Sequence, residues 1–312
     1  MKNKKFNVLV TWRLMIKFLK ENKKQYHSNK IKFHFKEKKQ GLVENEIYRI
    51  VDKYDALVCG DDEITNRVID KAKNLKVISK WGTGLDSINV KYARKKGIKV
   101  FNTPNAFTKG VAQLALSFIL NFSRHTFETH ENIKKGNWPK ISGFLIKEKI
   151  IGIIGFGNIG REVSRLVLKL GMKVIYNDIK KIKNFNNKNI YKSSLKELLK
   201  KSDIVITCCD LNHTSLNLIN DSKMKLMKNT SGIINISRGG IVNENDLIKN
   251  LNSKKIGFAA LDVFKKEPLN KNSKLLKFNN CILSSHNAFN TVEEVNKVSI
   301  NTLKNLYKGL RI

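Results

Sequence analysis

Short apolar runs alternate with amphipathic stretches along the chain. In the first third of the sequence the apolar runs predict strands at 6–12, 31–35, 56–59, 77–80 and 100–102. Apolar residues recur at helical spacing over 42–52 and 64–72, and Gly97 is well placed to end a further helix. Strands that alternate with helices are typical of a parallel sheet, so this part predicts one doubly wound α/β unit.

A second series of strands begins at residue 150. The run 150–155 is apolar throughout, as in a strand buried on both faces of a parallel sheet. Later runs predict strands at 173–177, 203–208, 232–236, 258–263 and 281–284. The pattern therefore predicts a second doubly wound parallel-sheet domain.

Three helical signals complete the predicted architecture. A long helical pattern runs from Phe107 toward Gly136 and predicts a bridge between the two units. Ser194 precedes Glu197 by three residues, which is the spacing of a capping box at a helix start. The last helix, 292–310, has no strand after it, so we expect it to pack back on the first unit.

Composition narrows the classes of function. The net charge is +34, but 51 of the 60 basic residues are lysine and they are spread along the chain. Because forked arginine is the residue enriched where phosphate and bases are recognised, diffuse lysine indicates a compositional bias, and we expect no specific nucleic-acid partner. No apolar stretch approaches the roughly 18 to 20 residues of a membrane span, so no membrane association is expected.

The cysteines bear on the compartment and on metal binding. Four cysteines without a CxxC pair or zinc-type spacing predict no disulfide framework and no metal site, and they favour the reducing cytoplasm.

The basic start of the chain, followed by an apolar run, is similar to a signal peptide. Arg13 and Lys17 interrupt that run, so we expect the N-terminus of a mature protein.

A glycine pattern opens the second series. Gly155, Gly157 and Gly160 form GxGxxG between the buried strand and an amphipathic helix, which is the context of a dinucleotide-binding loop. Asp178 ends the next strand, where a carboxylate can accept hydrogen bonds from the ribose hydroxyls of NAD. NAD is the predicted cofactor, while Lys180 and Lys181 keep NADP open as an alternative.

Three polar residues follow later strands of the same domain. Arg238 lies in the turn after the strand 232–236, Glu267 follows the strand 258–263, and His286 follows the strand 281–284. Hydride transfer to a carbonyl needs a proton donor and a cation that orients a carboxylate, and a carboxylate beside an imidazole orients it. The three residues are therefore the candidate catalytic set, although a residue of each type, taken singly, more often has a structural or solvent-exposed role.

Several segments together carry a resemblance to a known family. They are Lys80 to Asp86, Gly97 to Pro104, Gly155 to Gly160, Asn235 to Gly240, Leu261 to Pro268, and Ser285 to Asn287. In these segments the chain resembles the D-isomer-specific 2-hydroxyacid dehydrogenases, and within them most closely the D-3-phosphoglycerate dehydrogenase group. The resemblance covers nearly the whole chain. It implies an NAD-binding Rossmann domain (103–286) inserted into a flavodoxin-like substrate domain (1–102 plus 287–312).

The resemblance also implies roles for individual residues. Arg238 would bind the substrate carboxylate and carbonyl oxygen, His286 would be the general acid/base, and Glu267 would be its carboxylate partner. The implied cofactor contacts are Gly155, Gly157, Asn158, Ile159, Gly160, Asp178, Ile236, Ser237 and Asp262, with Asp262 on the nicotinamide amide. The backbone around Thr83 and Gly84 would bind the substrate carboxylate. Lys80 is a further candidate substrate ligand because it follows the fourth predicted strand, where residues of the crevice belong.

The implied reaction interconverts a small D-2-hydroxy acid and its 2-oxo acid. We expect 3-phosphoglycerate as substrate, with Arg13 and Lys80 as candidate ligands of its phosphate. The resemblance further implies a homodimer joined through the NAD-binding domains. Some members of the phosphoglycerate dehydrogenase group carry a regulatory C-terminal domain. Because this sequence ends at Ile312, we expect none here. The alternative function is a non-catalytic NAD-sensing scaffold that binds a protein partner.

Overall fold

The computed structural model describes residues 5–26, 28–38, 41–182 and 188–312. The chain divides into two compact units. Unit 1 comprises Met1–Phe107 with Asn290–Ile312, and unit 2 comprises Thr108–Phe289.

In the described part of unit 1, five parallel strands form one sheet in the order β2-β1-β3-β4-β5. The strands are β1 (Phe6–Trp12), β2 (Ile31–Lys38), β3 (Ala56–Cys59), β4 (Val77–Lys80) and β5 (Lys99–Phe101). The helices are α1 (Arg13–Glu21), α2 (Glu44–Tyr48), α3 (Asn66–Lys71), α4 (Val90–Lys95) and the C-terminal α11 (Val292–Leu310). The chain order reverses between β1 and β3, so their carboxyl ends lie at a topological switch point, where open α/β sheets bind ligands.

The C-terminal helix α11 packs on the sheet of unit 1. The Ser79 hydroxyl donates to the carbonyl of Thr302 (2.8 Å), and the Trp81 indole N–H donates to the Ser299 hydroxyl (2.9 Å). These four side chains are buried, so each bond satisfies a polar group that burial would otherwise leave unpaired.

In the described part of unit 2, seven parallel strands are ordered β12-β11-β10-β9-β6-β7-β8. The strands are β6 (Ile150–Ile154), β7 (Lys173–Asn177), β8 (Ile190–Lys192), β9 (Ile204–Thr207), β10 (Gly232–Asn235), β11 (Phe258–Leu261) and β12 (Cys281–Leu283). The helices are α5 (Thr108–Arg124), α6 (Thr126–Lys134), α7 (Asn158–Lys169), α8 (Leu195–Lys201), α9 (Asp221–Met224) and α10 (Glu244–Asn252). The switch point lies between β6 and β9.

The predicted fold class, two parallel-sheet α/β domains of which one is Rossmann-like, is confirmed. Central strands such as β9 and β10 are buried along their whole length, which explains why their sequences are continuously apolar. Two local expectations were wrong. Sequence analysis missed the short edge strand β8, and the single helix expected from Phe107 toward Gly136 is two helices, separated at His125 in the left-handed region (φ 52°).

Candidate active site

The glycine-rich loop follows β6 at the switch point of unit 2. Gly155 has φ +88°, a left-handed conformation that glycine adopts without strain. A Cβ on Gly160 would lie 2.4 Å from the Gly155 carbonyl oxygen, so only glycine lets α7 approach the strand this closely. A Cβ on Gly157 would meet no atom of the residues that the structure describes within 4 Å, so among these residues the space above Gly157 is open.

The start of α7 is suited to an anionic group. Asn158 is exposed and Ile159 half-buried in the first turn, which contains no acidic residue. The free N–H groups and positive dipole end of a helix of this length attract phosphate. The open space at Gly157 and this helix start together fit a pyrophosphate.

Asp178 lies just after β7, opposite the glycine-rich loop. Its carboxylate accepts hydrogen bonds from the N–H of Phe156 (2.7 Å) and the N–H of Lys180 (2.7 Å). The side chain is half-buried, and its orientation is fixed before any ligand arrives. A fixed carboxylate at this position fits the ribose of NAD.

Cys209 contacts the same loop from the end of β9. The backbone nitrogen of Cys209 would lie 2.6 Å from a Cβ on Gly155. Burial raises the pKa of the Cys209 thiol to about 11, and burial also raises the pKa of its neighbour Cys208. Both cysteines are therefore neutral thiols near neutral pH.

Arg238 is held by a turn after β10. The Asn235 side chain, 1% exposed, accepts hydrogen bonds from the Thr207 hydroxyl (2.7 Å), the Ser237 hydroxyl (3.1 Å) and the Ser237 N–H (3.2 Å). Its amide nitrogen donates to the carbonyl of Arg238 (3.0 Å). The Arg238 guanidinium donates to the Ser237 carbonyl (2.8 Å), while Ile236 is buried in the turn. The turn is thus fixed from inside by one amide side chain.

The loop that carries Glu267 packs against this turn. A Cβ on Gly239 would lie 1.9 Å from the carbonyl carbon of Phe264, so the two loops touch backbone to backbone. The Glu267 carboxylate accepts a hydrogen bond from the N–H of Phe264 (2.9 Å). The N–H of Lys265 donates to the Glu244 carboxylate in the first turn of α10. Arg238 and Glu267 therefore belong to one packed group of loops.

His286 completes the group. Its Nδ1 lies 2.7 Å from Oε2 of Glu267, and the two side chains are 33% and 25% exposed. His286 has φ +53°, an uncommon conformation for a residue with a Cβ and one that often occurs at functional sites.

Asp262 maintains that conformation. Its carbonyl accepts from the His286 N–H (2.7 Å), and its carboxylate accepts from the N–H groups of Asn287 (2.8 Å) and Ala288 (3.1 Å). The Asp262 side chain is 1% exposed. Sequence analysis gave Asp262 only a cofactor contact, and it missed this role because the bonds span 24 to 26 residues of sequence.

The remaining predicted substrate residues lie in unit 1. Thr83 and Gly84 are in the loop after β4, where the Thr83 hydroxyl donates to the Thr103 carbonyl (3.1 Å). Lys80 ends β4 with its Nζ 2.7 Å from Oδ1 of Asp61, a partner that sequence analysis did not predict. Arg13 is exposed at the start of α1.

Among residues 5–26, 28–38, 41–182 and 188–312, no group of three or more His, Cys, Asp or Glu side chains is arranged to hold a metal ion. In the part of the chain that the structure describes, no helix combines the length and apolar character needed to cross a bilayer.

Comparison with known proteins identifies the family. Residues 116–288 match the family model described as D-isomer specific 2-hydroxyacid dehydrogenase, NAD binding domain. A hydroxypyruvate reductase of Thermotoga maritima is 35% identical over 87% of this chain and 90% of its own length. A D-3-phosphoglycerate dehydrogenase of Synechocystis is 32% identical over 86% of this chain, which corresponds to 49% of that protein.

A solved structure is similar over nearly the full length. The D-lactate dehydrogenase of Aquifex aeolicus, complexed with NAD and lactic acid, superposes with a TM-score of 0.85 at 26% identity, covering 98% of this chain and 96% of that one. The relatives bear the names of more than one member of the family, so they do not support the phosphoglycerate dehydrogenase group over the others. The chain belongs to the D-isomer specific 2-hydroxyacid dehydrogenase family and is an NAD-dependent oxidoreductase.

Proposed function

We propose that this enzyme reduces a small 2-oxo acid to the D-2-hydroxy acid with NADH and catalyses the reverse reaction with NAD. The observation that carries the proposal is the 2.7 Å contact between His286 and Glu267, next to the Arg238 turn that packs on the same loop. Bound NADH supplies the hydride, and the side chains supply orientation and the proton.

His286 is the proposed proton donor. A carboxylate can only accept a hydrogen bond, so Nδ1 of His286 carries its proton toward Glu267 and Nε2 faces the substrate. Glu267 then stabilises the positively charged imidazole that protonates the carbonyl oxygen during reduction. In the oxidative direction the neutral imidazole accepts the hydroxyl proton at Nε2.

Arg238 is the proposed substrate anchor. A guanidinium can bind a carboxylate through two parallel N–H bonds and can also stabilise charge that develops on the carbonyl oxygen. The backbone around Thr83 and Gly84, in unit 1, is proposed to bind the substrate carboxylate. Asp262 is proposed to position His286 and to contact the nicotinamide amide, with Ile236 and Ser237 beside the ring.

The rest of the cofactor is proposed to follow the geometry described above. The loop of Gly155, Gly157 and Gly160 and the helix start at Asn158 and Ile159 hold the pyrophosphate, and Asp178 holds the ribose. A carboxylate at Asp178 repels a 2′-phosphate, which favours NAD over NADP.

We propose that the substrate is uncharged at the end distal to its carboxylate, as hydroxypyruvate is. Binding of 3-phosphoglycerate, the substrate expected from sequence, would use a cation at Arg13, at Lys80 or at both. Since the cation of Lys80 is paired with Asp61, only Arg13 remains exposed for that role. The substrate class named for the Thermotoga maritima relative supports the unphosphorylated alternative.

We also propose a homodimer joined through unit 2, in a reducing compartment such as the cytoplasm. Helix α6 has no buried residue, and Trp138 and Leu145 in the segment after it are 79% and 82% exposed. Large apolar side chains exposed along one segment are typical of contact surfaces. The four cysteines are free thiols, which fits a reducing compartment.

A substrate panel tests the proposal. NADH oxidation would be followed with hydroxypyruvate, glyoxylate, pyruvate and phosphohydroxypyruvate, and NADPH would be compared with NADH. In His286→Asn we expect turnover to fall about a thousandfold or more, since the variant cannot donate a proton, while NADH titration is unchanged. Turnover that survives in His286→Asn would remove this residue from the mechanism, and a wild-type enzyme that binds NADH without turning over any oxo acid would favour the scaffold alternative.

A further inference from the structure

The last residue of β4 is a lysine that is almost fully enclosed. Lys80 has a side chain only 4% exposed, and its Nζ lies 2.7 Å from Oδ1 of Asp61. Asp61 is 61% exposed, so the lysine is buried while the acid of the pair faces solvent. The charged group of the pair that is exposed is therefore the carboxylate.

The loop that presents Asp61 is firmly held. Its neighbour Asp62 is 1% exposed and accepts hydrogen bonds from the Thr11 hydroxyl (2.7 Å), the Leu42 N–H (2.8 Å) and the Gly60 N–H (2.9 Å). A Cβ on Gly41 would lie 2.4 Å from the carbonyl carbon of Asp61, so another segment packs directly on this backbone. Asp61 is therefore part of a fixed structure and not of a loose surface loop.

The pair stands beside the loop proposed to bind substrate. In the parallel register of β3 and β4, Cys59 is opposite Lys80, and the N–H of Trp81 donates to the Cys59 carbonyl (2.8 Å). The chain then continues through Trp81 and Gly82 to Thr83 and Gly84. The loop after β3 and the loop after β4 thus lie side by side at the carboxyl edge of the sheet, within unit 1.

We infer that Asp61 is a specificity-determining residue, which neutralises Lys80 and selects 2-oxo acids with an uncharged distal end over those with a phosphate. This inference rests on the proposed function, which assigns the substrate carboxylate to the Thr83–Gly84 loop. A phosphate carries close to two negative charges near neutral pH and is repelled by a carboxylate exposed at this edge of the sheet. A distal hydroxyl group is uncharged and is not repelled, and it can donate a hydrogen bond to the Asp61 carboxylate.

Asp61→Asn tests the inference, because asparagine keeps the size and an acceptor oxygen for Lys80 but removes the negative charge. The quantity measured is the ratio of kcat/KM for phosphohydroxypyruvate to kcat/KM for hydroxypyruvate, with NADH saturating. We expect this ratio to rise at least tenfold in Asp61→Asn, chiefly through a lower KM for the phosphorylated acid. The gain is expected to shrink at high salt, since screening weakens the repulsion in the wild-type enzyme.

Two further variants make the result specific to the pair. Asp70→Asn, in α3 of the same unit, makes the same charge change at a surface site bonded to Tyr92 and Lys96, and it should leave the ratio within about twofold of wild type. The double variant Asp61→Asn/Lys80→Met should lose the gain, because the released cation is no longer present. Thermal unfolding of each variant verifies that it is folded.

The outcomes separate this inference from the proposed function. A ratio in Asp61→Asn within twofold of wild type, or a wild-type enzyme that already prefers the phosphorylated acid, would overturn the inference while leaving oxo-acid reduction intact. A wild-type enzyme that reduces neither acid would overturn the proposed function itself.

Discussion

Asn235 links two strand ends of unit 2 to the carbonyl of Arg238. Both polar atoms of its side chain, Oδ1 and Nδ2, make hydrogen bonds, and the residue is only 1% exposed. Buried amides of this kind stabilise a unique backbone path, since an unpaired donor or acceptor there costs about 1–3 kcal/mol. The position of the Arg238 guanidinium therefore depends on a residue that never reaches the substrate.

We predict a pH-dependent loss of activity in Asn235→Asp. The variant keeps acceptor oxygens for Thr207 and Ser237, but an ionised carboxylate cannot donate to the Arg238 carbonyl. Burial favours the protonated acid, whose O–H replaces the lost donor. We expect kcat/KM for the oxo acid to fall about ten- to a hundredfold at pH 8 and clearly less at pH 6, measured by NADH oxidation.

Thr207→Val is the control for that prediction. It removes the hydroxyl that donates to Oδ1 of Asn235 and keeps the amide that donates to the Arg238 carbonyl. It should therefore lower the melting temperature without a pH-dependent change in kcat/KM. If the two variants had parallel pH profiles, Asn235 would have only a structural role.

Cys209 yields a prediction about thiol reactivity. Its pKa, raised by burial to about 11, lies above the ordinary value near 8.5, so the thiolate is scarce at pH 8. We expect Cys209 in the native enzyme to react with iodoacetamide at least tenfold more slowly than in the unfolded chain. The native rate should rise about tenfold per pH unit between pH 8 and 10, because only the thiolate reacts.

Peptide mass spectrometry of the alkylated protein assigns that rate to Cys209, with Cys209→Ser as the control. Fast alkylation at pH 7 with little dependence on pH would show that the Cys209 thiol does not have a pKa raised by burial.

At the scale of single residues, sequence could nominate candidates but not their contacts. Arg238, Glu267 and His286 were chosen because each follows a predicted strand, and carboxyl ends of parallel strands share one edge of a sheet. The bond between Glu267 and His286 depends on loop backbones that no periodicity describes. The same limitation explains Lys80, which was predicted as a substrate ligand from its place after a strand, without its partner Asp61.

At the scale of elements, the apolar patterns were most informative in the strands. The predicted bounds of β1, β3, β4 and β7 coincide with those of the structure, because each strand contains a run of three or more buried residues between polar turns. The edge strand β8 was missed because it has three residues and two of them are exposed.

The break between α5 and α6 was missed for a different reason. A left-handed residue at the end of a helix is usually glycine, but here it is His125. The new helix start is stabilised by Asn121, whose side-chain oxygen accepts hydrogen bonds from the Thr126 hydroxyl and the Phe127 N–H. Because the helical pattern of apolar residues continues on both sides of His125, the sequence predicts a single helix.

The junction of β6 and α7 yields a paired prediction. In Gly160→Ala the added methyl would press on the Gly155 carbonyl, so α7 must shift, and we expect a loss of stability of about 1–3 kcal/mol together with weaker NADH binding. In Gly157→Ala the methyl meets no atom within 4 Å in the described part of the chain, and the φ of −76° suits alanine. We expect an unchanged melting temperature but at least tenfold weaker NADH binding.

Thermal unfolding and NADH fluorescence titration distinguish these two glycines. Wild-type NADH affinity in Gly157→Ala would show that the pyrophosphate does not approach this residue. Wild-type stability in Gly160→Ala would show that the close packing of helix and strand is not required.

At the scale of the whole molecule, the charge of +34 acts as a long-range field. Lysines dominate both units, and many of their ion pairs are exposed, such as Lys17 with Glu21, and contribute little to stability. A positive field accelerates the arrival of any anionic substrate, in a salt-dependent way, and attracts the more highly charged phosphate more strongly than a single carboxylate. Selection against a phosphorylated acid would therefore have to come from local groups, such as the proposed action of Asp61 beside Lys80.

The exposed apolar residues of unit 2 yield the last prediction. Phe144 is anchored, since its ring meets Phe122 edge to face at 5.1 Å and its N–H donates to the Ser123 carbonyl (2.8 Å). The adjacent Leu145 and the nearby Trp138 remain largely exposed, although their segment is fixed by that anchor. A second copy of the chain would cover this apolar surface, as the proposed homodimer requires.

We predict that wild-type enzyme has about twice the 35.8 kDa mass of one chain by light scattering after size exclusion, and that Trp138→Glu/Leu145→Glu has the mass of one chain. Two glutamates at a self-complementary surface place four charges in one interface, where burial without partners is unfavourable. Leu276→Glu, at an apolar residue 54% exposed elsewhere in unit 2, is the matched control and should remain dimeric. A double variant that still runs as a dimer would place the interface on another surface, and a monomeric wild type would exclude the homodimer.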